Sequence, residues 1–338
     1  MTVARPAFPD PVLTANIYGA GLDAALFGAV APFWRELRTH DPERLCYLWV
    51  MRYDRRGEHL KVRVHGPESL LPLQRELLAA KTNAFLAALP EPAESPAGPG
   101  SAGPPIDPED AGAPLDRALL WTTYRRSHIS LGGKPFLDDD RYAALLTRCL
   151  AGGCDLMLAL EPGPGGSLSS TQRRNTLVKA LIEGLAALGF PAAKRADYLA
   201  YHRDWLLRLM VPKHMAADPE SSARLRNFFD AQIARMEGSL AALGRIAAAA
   251  WDGGERALQS SQEDDPVAGW RRSLAGLLAH VSPLCLDPDY RLEPFASDPV
   301  FAPVFKVFHG VANQLGLKRQ DEAFTHHLLL RATAAGPP

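Results

Sequence analysis

A chain of 338 residues, 47% of them hydrophobic, is long enough for a substantial core in one large domain or two. Its formal net charge of −1 argues against a general polyanion binder, so nucleic acid is not an expected partner. Residues 1–10 hold one arginine and no apolar run, and no stretch reaches the apolar length of a membrane span, so neither a signal peptide nor a membrane segment is expected.

In chain order, Val12–Tyr18 (VLTANIY) reads as a short strand closed by Gly19-Ala20-Gly21. Asp23–Arg38 has helical spacing in Leu26, Phe27, Val30, Phe33, Trp34 and Leu37, with Pro32 inside the run as a kink or a division. Leu45–Val64 reads as a hairpin. Cys46–Tyr53 is apolar, Asp54-Arg55-Arg56-Gly57 is turn chemistry, and Glu58–Val64 alternates. Leu60, Val62 and Val64 fall on one face, Lys61 and Arg63 on the other, with Arg52 nearby. Such a polar face is ordinarily solvated. Pro67–Leu89 is a second amphipathic helix. Pro90–Pro114 is so rich in Pro, Gly, Ala, Ser and acid that it reads as a mobile insertion. Ala118–Ser130 resumes as strand and ends at Gly132-Gly133.

Strand, helix, strand, strand, helix, strand is the split βαβ, ferredoxin-like order. From Asp138 the pattern turns helical: Asp138–Leu150, Ser169–Leu188, Lys194–Met210, Pro219–Trp251, Pro266–His280, Asp298–Leu315 and Arg319–Thr333, with stops at Gly189, Gly253-Gly254 and Gly316. The expected architecture is α+β: a sheet region over 1–135 with its insertion at 90–114, and a helical region over 136–338, packed as one unit.

The four cysteines, Cys46, Cys149, Cys154 and Cys285, lack zinc-site spacing and read as buried thiols in a reducing cytoplasm. Gly163–Gly166 lacks the Lys-Ser/Thr of a phosphate loop. His309 and Asn313, at i and i+4, share a helix face, as do Asp197, Tyr201 and Asp204 at i, i+4 and i+7. The latter spacing also describes a solvated helix face with an aromatic anchor. Ser282 and Tyr290 lie in a Pro-rich stretch, and Trp121, Trp205 and Phe308 are aromatics able to stack on heterocycles or to fill a core. His326-His327, adjacent on a helix, point apart and do not make a metal pair.

The hairpin, with Arg52, Tyr53, Asp54, His59, Leu60 and Arg63 in order and Lys61 for an arginine, resembles the C-terminal domain of lantibiotic dehydratases, where the run is roughly F-x-R-Y-x-D-x-x-x-H-(I/L)-R-(L/V)-R. His309 and Asn313 keep the spacing of that family's H-M-x-x-N-R helix, with Gln314 where the relatives have Arg. In the family's Y-x-x-E-x-x-R-Y-G-G strand, Tyr124 and Gly132-Gly133 are kept, while Ser127 replaces the Glu and Ser130 the Arg. The resemblance implies a scaffold that has lost part of its glutamate-elimination equipment. It is similar in this to the thiopeptide pyridine synthases, which join two dehydroalanines of a thiazole-bearing precursor peptide by a formal [4+2] aza-cycloaddition and expel water and the leader peptide.

What the resemblance implies is a cytoplasmic, cofactor-independent and metal-free enzyme whose partner is the modified precursor peptide. His309, Tyr201 and Asp197 are the catalytic candidates. Arg52, Lys61, Arg63, Tyr124, Ser130, Asn313 and Gln314 are the substrate-binding candidates. Two other readings stay open: a glutamate-elimination subunit working after a glutamyl-transfer partner, and a non-catalytic leader-binding module. The thiopeptide, its ring size and the oligomeric state are not encoded in any motif.

Overall fold

The computed structural model describes residues 12–19, 21–53, 57–90, 115, 117–122, 140–210, 219–252, 265–285 and 301–334. Strand β1 (Val12–Tyr18) leads into α1 (Leu22–Ala25), a π-wound turn (Leu26–Val30) and α2 (Ala31–His40). The division expected at Pro32 appears as that π-wound turn, which ends just before Pro32 removes a backbone donor from α2. Strands β2 (Tyr47–Tyr53) and β3 (His59–His65) form the hairpin; α3 (Leu71–Ala88) and β4 (Leu119–Thr122) complete the sheet. All strand pairs are antiparallel, in the order β2-β3-β1-β4.

Register assigns each side chain to a face. Leu13, Ala15 and Ile17 lie opposite Val64, Val62 and Leu60, which lie opposite Leu48, Val50 and Arg52. This face is buried, and α1 and α3 pack on the sheet. The other face carries Thr14, Asn16 and Tyr18 on β1 and His59, Lys61, Arg63 and His65 on β3. It is not solvated: Lys61 is 1% exposed and Arg63 0%.

The chain divides into two compact units. One is Met1–Ile129 with Met157–Ser169; the other is Ser130–Leu156 with Ser170–Pro338. The sheet unit therefore recruits a stretch from beyond the boundary drawn at residue 135. Its Leu168 amide donates to the Asp23 carboxylate at 2.8 Å.

The second unit is helical: α4 (Asp140–Leu158), α5 (Ser170–Ala187), α6 (Ala192–Met210), α7 (Pro219–Ile233), α8 (Glu237–Asp252), α9 (Pro266–Cys285), α10 (Phe301–Gln314) and α11 (Arg319–Ala334). Two expectations are corrected. The run Pro219–Trp251 is two helices, with a tight turn at Ala234–Met236 just before Gly238, a weak helix former. Helix α4 does not stop at Leu150 but continues through Gly152-Gly153. A Cβ on Gly153 would lie 2.5 Å from Val311 Cγ2, so close approach of α10, not propensity, accounts for those glycines. The expected stop at Gly316 holds: φ is +70°, and the Gly316 and Leu317 amides return to the Asn313 and Ala312 carbonyls at 2.9 Å.

The core of this unit includes Leu206, Leu207, Phe229, Ile233, Ala323 and Phe324, where α6, α7 and α11 meet. No helix among the described residues is long and apolar enough to cross a membrane.

Candidate functional site

The site sits on α6, α10 and α11. Helix α10 (FAPVFKVFHGVANQ) is buried on almost every side, because its sequence is apolar all round. The half-exposed positions are Lys306, His309 and Asn313, a single stripe at i, i+3 and i+7. His309 and Asn313 thus share the face expected of them. Gly310 lets α10 press against α4, since a Cβ there would lie 2.3 Å from Leu150 Cδ2.

Across from His309 stands Glu322, on the first turn of α11 and 1% exposed. His309 Nδ1 lies 2.9 Å from Glu322 Oε2, and the His309 side chain is 32% exposed. His202 Nε2 lies 2.8 Å from Glu322 Oε1, and Tyr198 Oη is 2.8 Å from His202 Nδ1. Tyr198 and His202 are separated by one helical turn on α6, so their side chains are neighbours. The result is a continuous chain, Tyr198–His202–Glu322–His309, buried at three members and open at the last.

Aromatic rings enclose it. Phe305 stacks on His309 with centroids 5.4 Å apart and lies 4.2 Å from the His202 ring. Trp205 packs edge-on to Phe305 at 4.4 Å. His326, one turn beyond Glu322, lies 3.8 Å from the His202 ring and donates from Nδ1 to the Glu322 carbonyl at 2.9 Å.

Burial sets the protonation states. Burial by itself would push the Glu322 carboxyl up, but the charge of His309 and hydrogen bonds from His202 and His309 hold it well below the usual carboxylate range. Burial pushes His202 down and pushes His326 down to about 3, so both rings are neutral near pH 7. Burial pushes the Tyr198 phenol well up, with Glu322 and Tyr201 adding to it. A carboxylate flanked by imidazoles and open at one end can hold a proton-transferring histidine in a fixed orientation.

The other candidates lie elsewhere. Asp197 is exposed, on the solvated side of α6. Asp204 pairs with Arg203 at 2.8 Å and Arg226 at 3.3 Å. Tyr201 is half-buried against Phe301, with centroids 5.7 Å apart. The face that does assemble is offset by one residue, through Tyr198 and His202. Gln314 is fully buried, and its amide donates to the Leu150 carbonyl at 2.9 Å, a helix-to-helix contact. Phe308 is core, edge-on to Trp270 at 5.8 Å. His327, neighbour of His326, turns the other way to Asp230 at 2.9 Å.

In the sheet unit, Arg52 and Lys61 part company. Arg52 lies on the apolar face, part-buried and paired with the buried Asp23 of α1 at 2.6 Å. Lys61 Nζ sits 4.4 Å from the centre of the Tyr53 ring and Arg63 Cζ 4.6 Å from that of Trp49. His59 is sandwiched between Tyr18 and Tyr53, its direct cross-strand neighbours, at 4.5 and 5.7 Å. Trp121 underlies Arg75 at 4.8 Å. Tyr124, Ser127, Ser130, Asp54, Tyr290 and the segment 91–114 fall outside the described residues, as does the side chain of Ser282. Among the described residues no group of three or more His, Cys, Asp and Glu is disposed to hold a metal ion.

Glu322 carries no motif in the sequence, and Tyr198 and His202 lie in the polar-aromatic run Asp197–Trp205 whose sequence reading favours Asp197, Tyr201 and Asp204 instead. A faint signal existed: Tyr198/His202 and Glu322/His326 are both i, i+4 polar pairs on faces that otherwise read as apolar.

The family described as lantibiotic biosynthesis dehydratase C-term matches residues 13–333. Among solved structures, the chain is similar to a pyridine synthase, TbtD, from thiomuracin biosynthesis. Sequence identity is 19% and the TM-score 0.63, with 97% of this chain and 99% of that chain covered. It also aligns with the tRNA-dependent lantibiotic dehydratase MibB from Microbispora sp. 107891 at 15% identity and a TM-score of 0.45, over 97% of this chain and 28% of that one. No curated protein sequence matches the chain.

Proposed function

The chain belongs to the lantibiotic dehydratase C-terminal family, which ties it to lantibiotic-type peptide biosynthesis, and from that premise we propose that it is a pyridine synthase of thiopeptide biosynthesis. The substrate is a thiazole-bearing precursor peptide with two dehydroalanines. One dehydroalanine and its preceding amide tautomerise to a 2-azadiene. The second dehydroalanine adds across it, closing a six-membered ring through two carbon–carbon bonds. Loss of water and then of the leader peptide as an amide makes the ring aromatic.

Each step asks for proton transfer and for two alkenes held in contact. His309 is the group suited to the first task. It is part-exposed, it is anchored at one ring nitrogen, and it shares its stripe of the helix with Asn313. Trp205, part-exposed and packed edge-on against Phe305, is the nearby aromatic surface for thiazoles.

The observation that carries this reading over glutamate elimination is Gln314. The relatives' arginine would bring a cation to this position for an anionic leaving group. Here an amide is fully buried and committed to the Leu150 carbonyl. Ser130 in place of the second arginine points the same way. The test is incubation with a thiazole- and dehydroalanine-bearing precursor, read by mass and absorbance. Loss of the whole leader with a new pyridine chromophore is the expected result. Loss of glutamate mass from a glutamylated precursor assigns the elimination reaction, and binding without mass change assigns a leader-binding module.

A further inference from the structure

We propose that Glu322 is the positioning residue of this site. By accepting one N–H from each of two imidazoles it holds His309 as the tautomer protonated at Nδ1, and so leaves the bare Nε2 for the substrate. The inference rests on His309 being the proton-transferring group.

The protons can be placed one at a time. Glu322 is held ionised by the hydrogen bonds it takes from His202 and His309 as well as by charge on His309, so both nitrogens facing it are donors whether the His309 ring is charged or neutral. His202 therefore carries its proton on Nε2, 2.8 Å from Oε1. Being neutral, it has a lone pair on Nδ1, and the Tyr198 hydroxyl, which keeps its proton, donates to it at 2.8 Å. His202 is thus fixed at both ends and cannot change tautomer without losing a buried hydrogen bond. That leaves Oε2 for His309, whose Nδ1–H donates at 2.9 Å. Neutral imidazole in water prefers its proton on Nε2, so the anchor reverses the intrinsic preference at the atom that would react.

Among the described residues, His202 and Tyr198 face Glu322 from α6, His309 from α10, and His326 from α11, where it bonds the Glu322 backbone carbonyl. His326 is neutral and buried, so it offers Glu322 no competing charge. Phe305 stacks on the His309 ring and limits its rotation. Among the described residues, no hydrogen-bond partner stands at His309 Nε2.

The experiment uses the full chain labelled with 15N-histidine, with long-range 1H–15N correlation at a pH where the ring is neutral. His309 is assigned by the signal that disappears in His309→Gln. The expected wild-type pattern is protonated Nδ1. In Glu322→Gln the side chain has one carbonyl and one NH2, so it can accept from only one of the two rings. Tyr198 holds His202, so His309 is the ring that moves its proton to Nε2. Turnover should then fall about 10²–10⁴-fold in kcat with KM little changed, as for other sites where a wrong tautomer disables an otherwise intact base. Glu322→Ala should give the same tautomer and rate if it folds.

A wild-type His309 protonated on Nε2, or an unchanged tautomer in Glu322→Gln, overturns the proposal whatever the reaction is. If the tautomer changes as expected while Glu322→Gln and His309→Gln both turn over at the wild-type rate, positioning stands and the role of His309 in the chemistry falls.

Discussion

The hairpin of the sheet unit and the Tyr198–His202–Glu322–His309 chain of the helical unit both bury charge, and they do it by opposite means. On the hairpin, Lys61 and Arg63 are covered and lie against the faces of Tyr53 and Trp49. Those aromatics come from the neighbouring strand, and Trp49 stands directly opposite Arg63 in the register. In the helical unit the buried charge is an anion, held by a directed series of hydrogen bonds that reaches the surface only at His309. Quadrupole contacts hold a cation without fixing where any proton sits. A hydrogen-bonded series fixes every proton. The first arrangement suits packing, and the second suits proton transfer.

The largest effect that would sharpen the contrast is on turnover. His309→Ala should keep the fold but slow pyridine formation by about 10²–10⁴-fold, the usual worth of a general acid or base. His309→Gln should be as slow, because an amide hydrogen-bonds without passing protons on. Near-full activity of His309→Gln, measured as leader release under saturating precursor, would reduce the helical site to a binding surface.

Next is the ion pair that the hairpin contributes to its apolar face. Arg52→Ala leaves the buried Asp23 carboxylate without its guanidinium, a loss of about 3 kcal/mol in a denaturant melt. Turnover per folded molecule should be unchanged. Loss of turnover without loss of stability would move Arg52 from structure to substrate.

Acid should damage the helical unit in a defined window. His202, His326 and Glu322 all have folded values below their unfolded ones, so the unfolded chain binds more protons as pH falls. Their contribution to stability is complete above the usual histidine value of 6.5 and declines as pH drops toward the value of about 3 for His326. The thermal midpoint should fall between pH 7 and pH 5. His326→Phe, which keeps the ring against His202, should make that fall shallower. An equal slope in the variant would mean that His326 titrates in the fold as it does in water.

The smallest expected effect tests the hairpin cations. Arg63→Met keeps a long apolar stem against Trp49, and isosteric replacement of buried charge is often close to neutral, about 1 kcal/mol either way. Peptide affinity should then be the same at low and high salt. A loss confined to low salt would assign Arg63 to an acidic leader instead of to packing.

Sequence alone determined the period of each element and therefore its burial pattern. The alternation in Glu58–Val64 places Lys61 and Arg63 on one face. The apolar wrap of α10 picks out His309 and Asn313 as its part-exposed stripe, and Gly316 ends that helix at φ +70°. These are local properties, set by backbone geometry and side-chain polarity within a few residues.

Tertiary structure decided what each face meets. It covered Lys61 and Arg63, turned Arg52 to Asp23, and carried α4 past Leu150 because Gly153 lets α10 come close. It also chose Tyr198 and His202 over Asp197 and Asp204 on the same helix, since that is the face of α6 turned to α11. Glu322 lies 120 residues from His202 in the chain and 13 from His309, on different helices from both. No local pattern encodes a hydrogen bond at that separation. It exists only because packing α6, α10 and α11 together puts Tyr198, His202 and Glu322 where water is excluded, with His309 at the edge, and a buried carboxylate must find donors.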